Sequence, residues 1–210
     1  MQLSSFVDLL KQKLKEELPG MEAHLTMTPY RRLTKVIPDN HKKSAVMILL
    51  YEKEGEIYFP LIQRQDYKGV HSGQISFPGG KMDKTDSSLL ETAFRETEEE
   101  VGIDRTELSY IGELTELYIP PSNFMVHVYV SFHSGTPSFV KEEKEVKEIL
   151  EVPYSSVMDD GNIKETEVLI QGGMKLKTPY LDLNDKVVWG ATAAILVELG
   201  YTQVPSPISE

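Results

Sequence analysis

An α/β fold with a mixed central sheet and helices on both of its faces is predicted by three features of the sequence. Apolar, strand-like runs come in pairs, at 45–52 and 56–64 and again at 108–118 and 124–132. An amphipathic helix separates the two pairs, and an apolar helix is expected at 186–199, near the end of the chain. With 210 residues and 40% hydrophobic content there is enough apolar material for one sizeable core. A single domain over 1–210 is therefore expected, with a helical extension at about 1–43 and a mobile tail at about 202–210.

Each element has a local reason. Residues 5–17 place Phe6, Leu9, Leu10 and Leu14 on one side of a helix that Pro19-Gly20 stops. Residues 21–43 show no clear period and are expected to wrap the domain. The runs 45–52 and 56–64 turn around Gly55 as a hairpin. The helix that follows starts at a cap on Asp86 or Ser87 and ends at Gly102. Its core stripe is Leu90, Phe94, Thr97 and Val101, at i, i+4, i+7 and i+11. Between strands 108–118 and 124–132, Ser122 and Asn123 read better as turn formers than as substrate contacts. The charged stretch 141–153 reads as a solvated loop leading into a strand. Runs 165–170 and 174–177 flank Gln171-Gly172-Gly173, where the glycines serve a hairpin turn. In the last helix small residues suit close packing, and Trp189 is read as a packing anchor in preference to a base-stacking group.

The chemistry concentrates on the helix before Gly102. At about 100° per residue, Glu96, Glu99 and Glu100 fall within roughly a 100° arc, while Glu98 projects elsewhere. Like charges at these spacings cost a few tenths of a kcal/mol per pair in an isolated helix, and a bridging cation removes that cost. An all-oxygen donor set suits Mg²⁺ or Mn²⁺ and not zinc. The plain alternative is a solvated helical face. Against it stands the bend Phe77-Pro78-Gly79-Gly80 just upstream, which allows close backbone approach.

Composition excludes other chemistries. There is no cysteine, hence no disulfide and no thiolate catalysis. The five histidines are scattered without zinc-ligand spacing. A net charge of −11, from 22 basic and 33 acidic residues, argues against nonspecific nucleic-acid binding. A small anion remains acceptable, because bound metal reverses the local field. Arg31, Arg32, Lys35, Arg64 and Lys68 are the cations nearest the motif, each read first as a solubilising charge. No basic-then-apolar leader and no apolar run approaching about 18 residues is present, so a cytoplasmic protein without membrane partners is expected.

These residues resemble the Nudix hydrolase family, whose signature is G, five residues, E, seven residues, then R-E-U-x-E-E-x-G-U with U bulky and apolar. Gly80, Arg95, Glu96, Glu99, Glu100, Gly102 and Ile103 match it. Asp86 stands for the first Glu, eight residues separate it from Arg95, and Thr97 takes the first apolar position. Upstream, Leu61-Ile62-Gln63-Arg64 and the stretch from Gly73 to Gly80 are similar to elements of the coenzyme A pyrophosphatase branch, as is Val188-Trp189-Gly190-Ala191-Thr192-Ala193. That branch has an arginine where this chain has Gly69, with Lys68 or His71 as the substitute cation.

The resemblance implies a Nudix-type α/β/α sandwich and one to three Mg²⁺ or Mn²⁺ ions on Glu96, Glu99 and Glu100, with the Gly80 carbonyl. It implies that Arg95 orients a glutamate or contacts phosphate, the alternative being an ordinary surface ion pair. A further acid from a later loop would be Glu145 or Glu148, unless that segment is merely solvated. Arg64, Lys68 and His71 are the implied substrate contacts. The implied partner is a small nucleoside diphosphate derivative, with coenzyme A favoured and cleaved to 3′,5′-ADP and phosphopantetheine. ADP-ribose or a dinucleotide is the alternative substrate, a noncatalytic ligand-sensing domain a third reading, and a homodimer an open assembly. Absence of cysteine argues against the isomerase relatives of this fold.

Overall fold

The structure, a computed structural model, describes residues 3–28, 37–66, 72–170 and 173–204. Helix α1 (Leu3–Lys13) and a short α2 (Met21–Thr26) precede strands β1 (Lys42–Lys53) and β2 (Glu56–Arg64). Two short strands follow, β3 (Ile75–Ser76) and β4 (Gly79–Lys81), then helix α3 (Leu89–Val101). Strands β5 (Leu108–Ile119), β6 (Phe124–His133) and β7 (Val146–Pro153) lead to β8 (Ile163–Ile170), β9 (Met174–Leu183), β10 (Lys186–Trp189) and helix α4 (Gly190–Tyr201).

The main sheet runs β3-β2-β1-β6-β5, with β4 added on β1 and β7 on β2. It is mixed: β1 pairs parallel to β6, from Lys42 opposite Phe124 to Leu50 opposite Phe132, and the other pairings are antiparallel. Period-2 alternation sorts β1 between two apolar layers. Ala45, Met47 and Leu49 pack with Ala93 and Val101 of α3, whereas Ile48 and Leu50 share the other layer with Phe6, Leu10 and Leu196. Helices thus cover both faces, the predicted α/β/α sandwich.

One break in pairing matters for the site. β1 pairs with β4 at Ser44 to Val46 and with β2 only from Tyr51 to Lys53. Its edge therefore passes from one partner to the other, and the Gly79-Gly80 backbone enters below the β1–β2 hairpin. That hairpin closes on Glu54 and Gly55, both at positive φ, as a two-residue turn between right-twisted strands requires.

Five sequence expectations change. The stretch 21–43 contains α2, too short to show a period, and buried His24 ties it to buried Glu198 of α4 at 2.8 Å. The charged stretch 141–153 is half strand: β7 starts at Val146 and buries Val146, Leu150 and Val152 among charged residues that stay exposed or half-buried. Residues 186–189 are strand β10 instead of helix, closed on β9 through Asn184 and Asp185, both at positive φ. Trp189, opposite Tyr180 at the end of that strand, is half-buried, and the fully buried anchor is Val188. Finally, packed chain reaches Val204: Thr202 meets the Tyr154 hydroxyl at 3.0 Å and Val204 is buried, while the rest of the expected mobile tail, 205–210, lies outside the described residues. Among the described residues no helix is long and apolar enough to cross a membrane.

Candidate active site

Helix α3 lies on the β1 and β4 strands and presents its acids along one edge. Ser88 caps it, accepting from the Glu91 N–H at 3.2 Å, so neither Asp86 nor Ser87 takes that role. Gly102, at φ 73, ends it. Thr97 keeps its place in the core stripe because its hydroxyl donates to the Ala93 carbonyl at 2.7 Å, leaving the methyl for packing.

Asp86, released from capping, holds Arg95 through two bonds, Nε to Oδ1 at 2.9 Å and Nη2 to Oδ2 at 3.0 Å. It also accepts from the Thr92 hydroxyl and the Asp83 N–H. The guanidinium, foremost, holds the Asp86 carboxyl well below the usual carboxylate range. The remaining nitrogen, Nη1, reaches Glu96 at 2.8 Å and Glu99 at 3.0 Å. Arg95 therefore organises three carboxylates and is no ordinary surface ion pair.

Glu100 is the most buried acid of the set, 2% exposed. The Gly79 N–H donates to it at 2.8 Å, and Arg64 Nη1 lies 3.4 Å away. Burial pushes its carboxyl up to about 8, partly offset by the Gly79 bond and Arg64 and reinforced by Glu96 and Glu145. Glu96 moves in the same direction for the same first reason, with Arg95 opposing. Gly80 faces Glu96 so closely that a Cβ there would stand 2.4 Å from the carboxylate carbon.

The two later acids separate. The chain from Val140 to Glu145 is bound to the end of α3: the Val140 N–H donates to the Val101 carbonyl and the Glu142 N–H to the Glu100 carbonyl. Glu145 lies within electrostatic reach of both Glu96 and Glu100. Glu148 instead pairs with Lys186 of β10 at 2.7 Å and takes no part in the cluster. Arg64 reaches the site, whereas Lys68, Gly69 and His71, like Arg31, Arg32 and Lys35, lie outside the described residues. Ser122 and Asn123 form a turn, with Asn123 at φ 55 and its side chain accepting from the Tyr118 hydroxyl.

The donor chemistry fits a hard divalent cation, since the acids offer carboxylate oxygens, and Gly80, lacking a Cβ, lets the backbone come close to the Glu96 carboxylate. Among the described residues no three acidic or histidine side chains converge as a finished cage. Arg95 holds one oxygen of Glu96 and one of Glu99, which leaves the second oxygen of each carboxylate outside its grip. Sequence reasoning missed the Gly79 N–H and the work of Asp86; the eight-residue spacing to Arg95 was the available signal. Asp86→Asn is expected to halve the bidentate grip and lower kcat/KM about tenfold, on the 1.5–3 kcal/mol typical of charged hydrogen bonds. Steady-state kinetics alongside thermal unfolding checks this; unchanged kcat/KM would remove the positioning role.

Comparison with known proteins places the chain in a family. Residues 41–170 match the family model of the NUDIX domain. The chain is similar to an uncharacterized Nudix hydrolase NudL of Yersinia enterocolitica, 34% identical over 139 residues covering 66% of this chain and 70% of that protein. A NudL of Yersinia pestis is 28% identical over 197 residues, 94% of this chain and 92% of that protein. In fold it resembles the Nudix hydrolase RenU of M. smegmatis, with TM-score 0.56, 14% identity and coverage of 81% of this chain and 90% of that one. A MutT/nudix family protein of Enterococcus faecalis gives TM-score 0.52 at 15% identity, covering 97% of this chain and 74% of that one. Domain match, relatives and fold converge: the chain belongs to the Nudix hydrolase family and is a pyrophosphohydrolase.

Proposed function

We propose that the chain hydrolyses the diphosphate linkage of coenzyme A or one of its derivatives, releasing 3′,5′-ADP and the phosphopantetheine half. Nudix hydrolases generally use divalent metals, and here Glu96, Glu99 and Glu100 with the Gly80 carbonyl would hold Mg²⁺ or Mn²⁺. The bound ion supplies Lewis-acid polarisation of the diphosphate and a water acidic enough to ionise near neutral pH. Arg95, itself fixed by Asp86, orients Glu96 and Glu99. Glu145 takes the proton of the attacking water on a carboxylate oxygen. Arg64 neutralises Glu100 and, with Lys68 and His71, contacts the substrate.

The observation that carries the substrate reading is the convergence of both upstream pieces on one acid. Arg64, from Leu61-Ile62-Gln63-Arg64, and the Gly79 N–H, from the stretch Gly73 to Gly80, meet at Glu100. An element that sequence similarity associates with coenzyme A hydrolysis is thus part of the acid cluster. Gly69, standing where that branch has arginine, favours the second reading: the same chemistry on ADP-ribose or a dinucleotide. Direct competition separates the two. At equal Mg²⁺, coenzyme A is expected to show a kcat/KM about tenfold above that of ADP-ribose, a difference of 1.4 kcal/mol in transition-state binding. A preference for ADP-ribose would refute the coenzyme A assignment and leave diphosphate hydrolysis intact.

A further inference from the structure

The last three strands form a second sheet in the order β10-β9-β8. Strand β10 pairs with β9 only from Tyr180 to Leu183, whereas β8 pairs with β9 along its whole length. From Glu165 opposite Pro179 to Ile170 opposite Met174 the sheet is therefore a two-stranded ribbon, about 20 Å long. Such a ribbon is at best marginally stable in water by itself. This one gains nothing from the main core: Val168, Ile170 and Leu176, which share one of its faces, belong to neither apolar layer. Near its tip Leu169 and Met174 are 72% and 62% exposed.

The two edges of the ribbon differ. On the β9 side Pro179, with no N–H to offer, interrupts the edge. Strand β8 has no proline, and among the described residues only β9 pairs with it. Lysines commonly guard such an edge, but here each is neutralised within the sheet. Lys164 meets Asp182 at 2.6 Å, Lys175 meets Glu167 at 3.4 Å and Lys177 meets Glu165 at 2.7 Å. The ribbon is neutral ground on a chain of net charge −11, where two copies can approach without the repulsion of the rest of the surface.

We propose that β8 pairs with β8 of a second copy across a two-fold axis, joining two three-stranded sheets into one of six strands. The axis makes the pairing antiparallel and keeps each face of the sheet with itself. Charge selects the register. Pairing about Thr166 sets Glu165 against Glu167, and pairing about Glu167 sets that carboxylate against its own copy; like charges directly opposite are destabilising. Pairing about Val168 avoids both clashes. It faces Val168 with Val168, Glu167 with Leu169 and Thr166 with Ile170, and it merges the apolar faces of the two ribbons.

Sedimentation of the full chain at micromolar concentrations is expected to show a reversible dimer. Val168→Lys sets two ammonium groups against each other at the axis and should raise the dimer Kd about a hundredfold or more, with unchanged circular dichroism. The chain has no cysteine, so single cysteine variants locate the contact even if the lysine variant fails to fold. Val168→Cys should be joined to its copy by a short thiol cross-linker. Ile163→Cys, about 34 Å from its own copy in this register, should not. A wild type that stays monomeric throughout overturns the proposal. So does a dimer in which Val168→Cys is not cross-linked, because the copies then meet through another surface.

Discussion

Glu100→Gln is expected to lower kcat about 10³-fold or more while the protein still folds, because a metal ligand supplies several kcal/mol to the reaction. The amide keeps the shape of the side chain, and its oxygen can still accept the Gly79 N–H that now reaches Glu100 at 2.8 Å. What disappears is the negative charge that Glu100 would carry as a metal ligand, in a nearly water-free position where, among the described residues, Arg64 is its ion-pair partner. Turnover measured with Mg²⁺ beside thermal unfolding separates chemistry from folding. Turnover near that of the wild type would dismiss Glu100 as a metal ligand.

The same substitution acts in the opposite sense on the metal-free fold at alkaline pH. Burial raises the folded carboxyl from its ordinary 4.5 to about 8, so between these values the folded chain keeps a proton that the unfolded chain has released. That contribution is complete below the unfolded value and is lost as pH climbs through about 8, amounting to a few kcal/mol. Glu96, also raised by burial, adds in the same direction. Without divalent ions the wild type should therefore melt at a lower temperature at pH 9 than at pH 5, and Glu100→Gln should flatten that slope. A wild-type melting temperature that rises over this range would contradict the buried-acid account.

The helix and its acids were legible because they obey a local rule. A 3.6-residue stripe and a terminal glycine define α3 and, with it, the arc of Glu96, Glu99 and Glu100. Strand β10 was not legible, since an apolar run continues across Trp189 and Gly190 while the period changes from 2 to 3.6 within it. The role of Asp86 was hidden for a different reason. A shorter acid with one more residue before Arg95 reads as a weakened motif, yet the added length lets a loop deliver two oxygens to the guanidinium. Glu145 and Glu148 looked equivalent in a charged stretch; strand β7 sends the second to Lys186, and backbone bonds to the end of α3 keep the first beside the cluster.

The paired glycines at the site should fail in different ways when given a side chain. A Cβ on Gly80 would lie 2.4 to 2.6 Å from the carbon and oxygens of the Glu96 carboxylate. That group is the end of a flexible side chain, so it can swing aside at little cost to the fold. It then leaves both Arg95 and the carbonyl with which it would share an ion, and Gly80→Ala is expected to cut kcat/KM by about 10²-fold or more, since misplacement by 1 Å is enough for such a loss. Gly79 has φ 156, and a Cβ there would lie 2.4 Å from the Ala45 carbonyl oxygen and 2.6 Å from the Val46 Cα. Backbone in the middle of the sheet cannot turn away, so Gly79→Ala should destabilise by more than about 3 kcal/mol, in the range reserved for overpacking and strain together. Chemical denaturation and kinetics on both variants test the contrast. A Gly80→Ala enzyme with normal kcat/KM would mean that the Glu96 position against the backbone is incidental, and the shared-ion arrangement would fall with it.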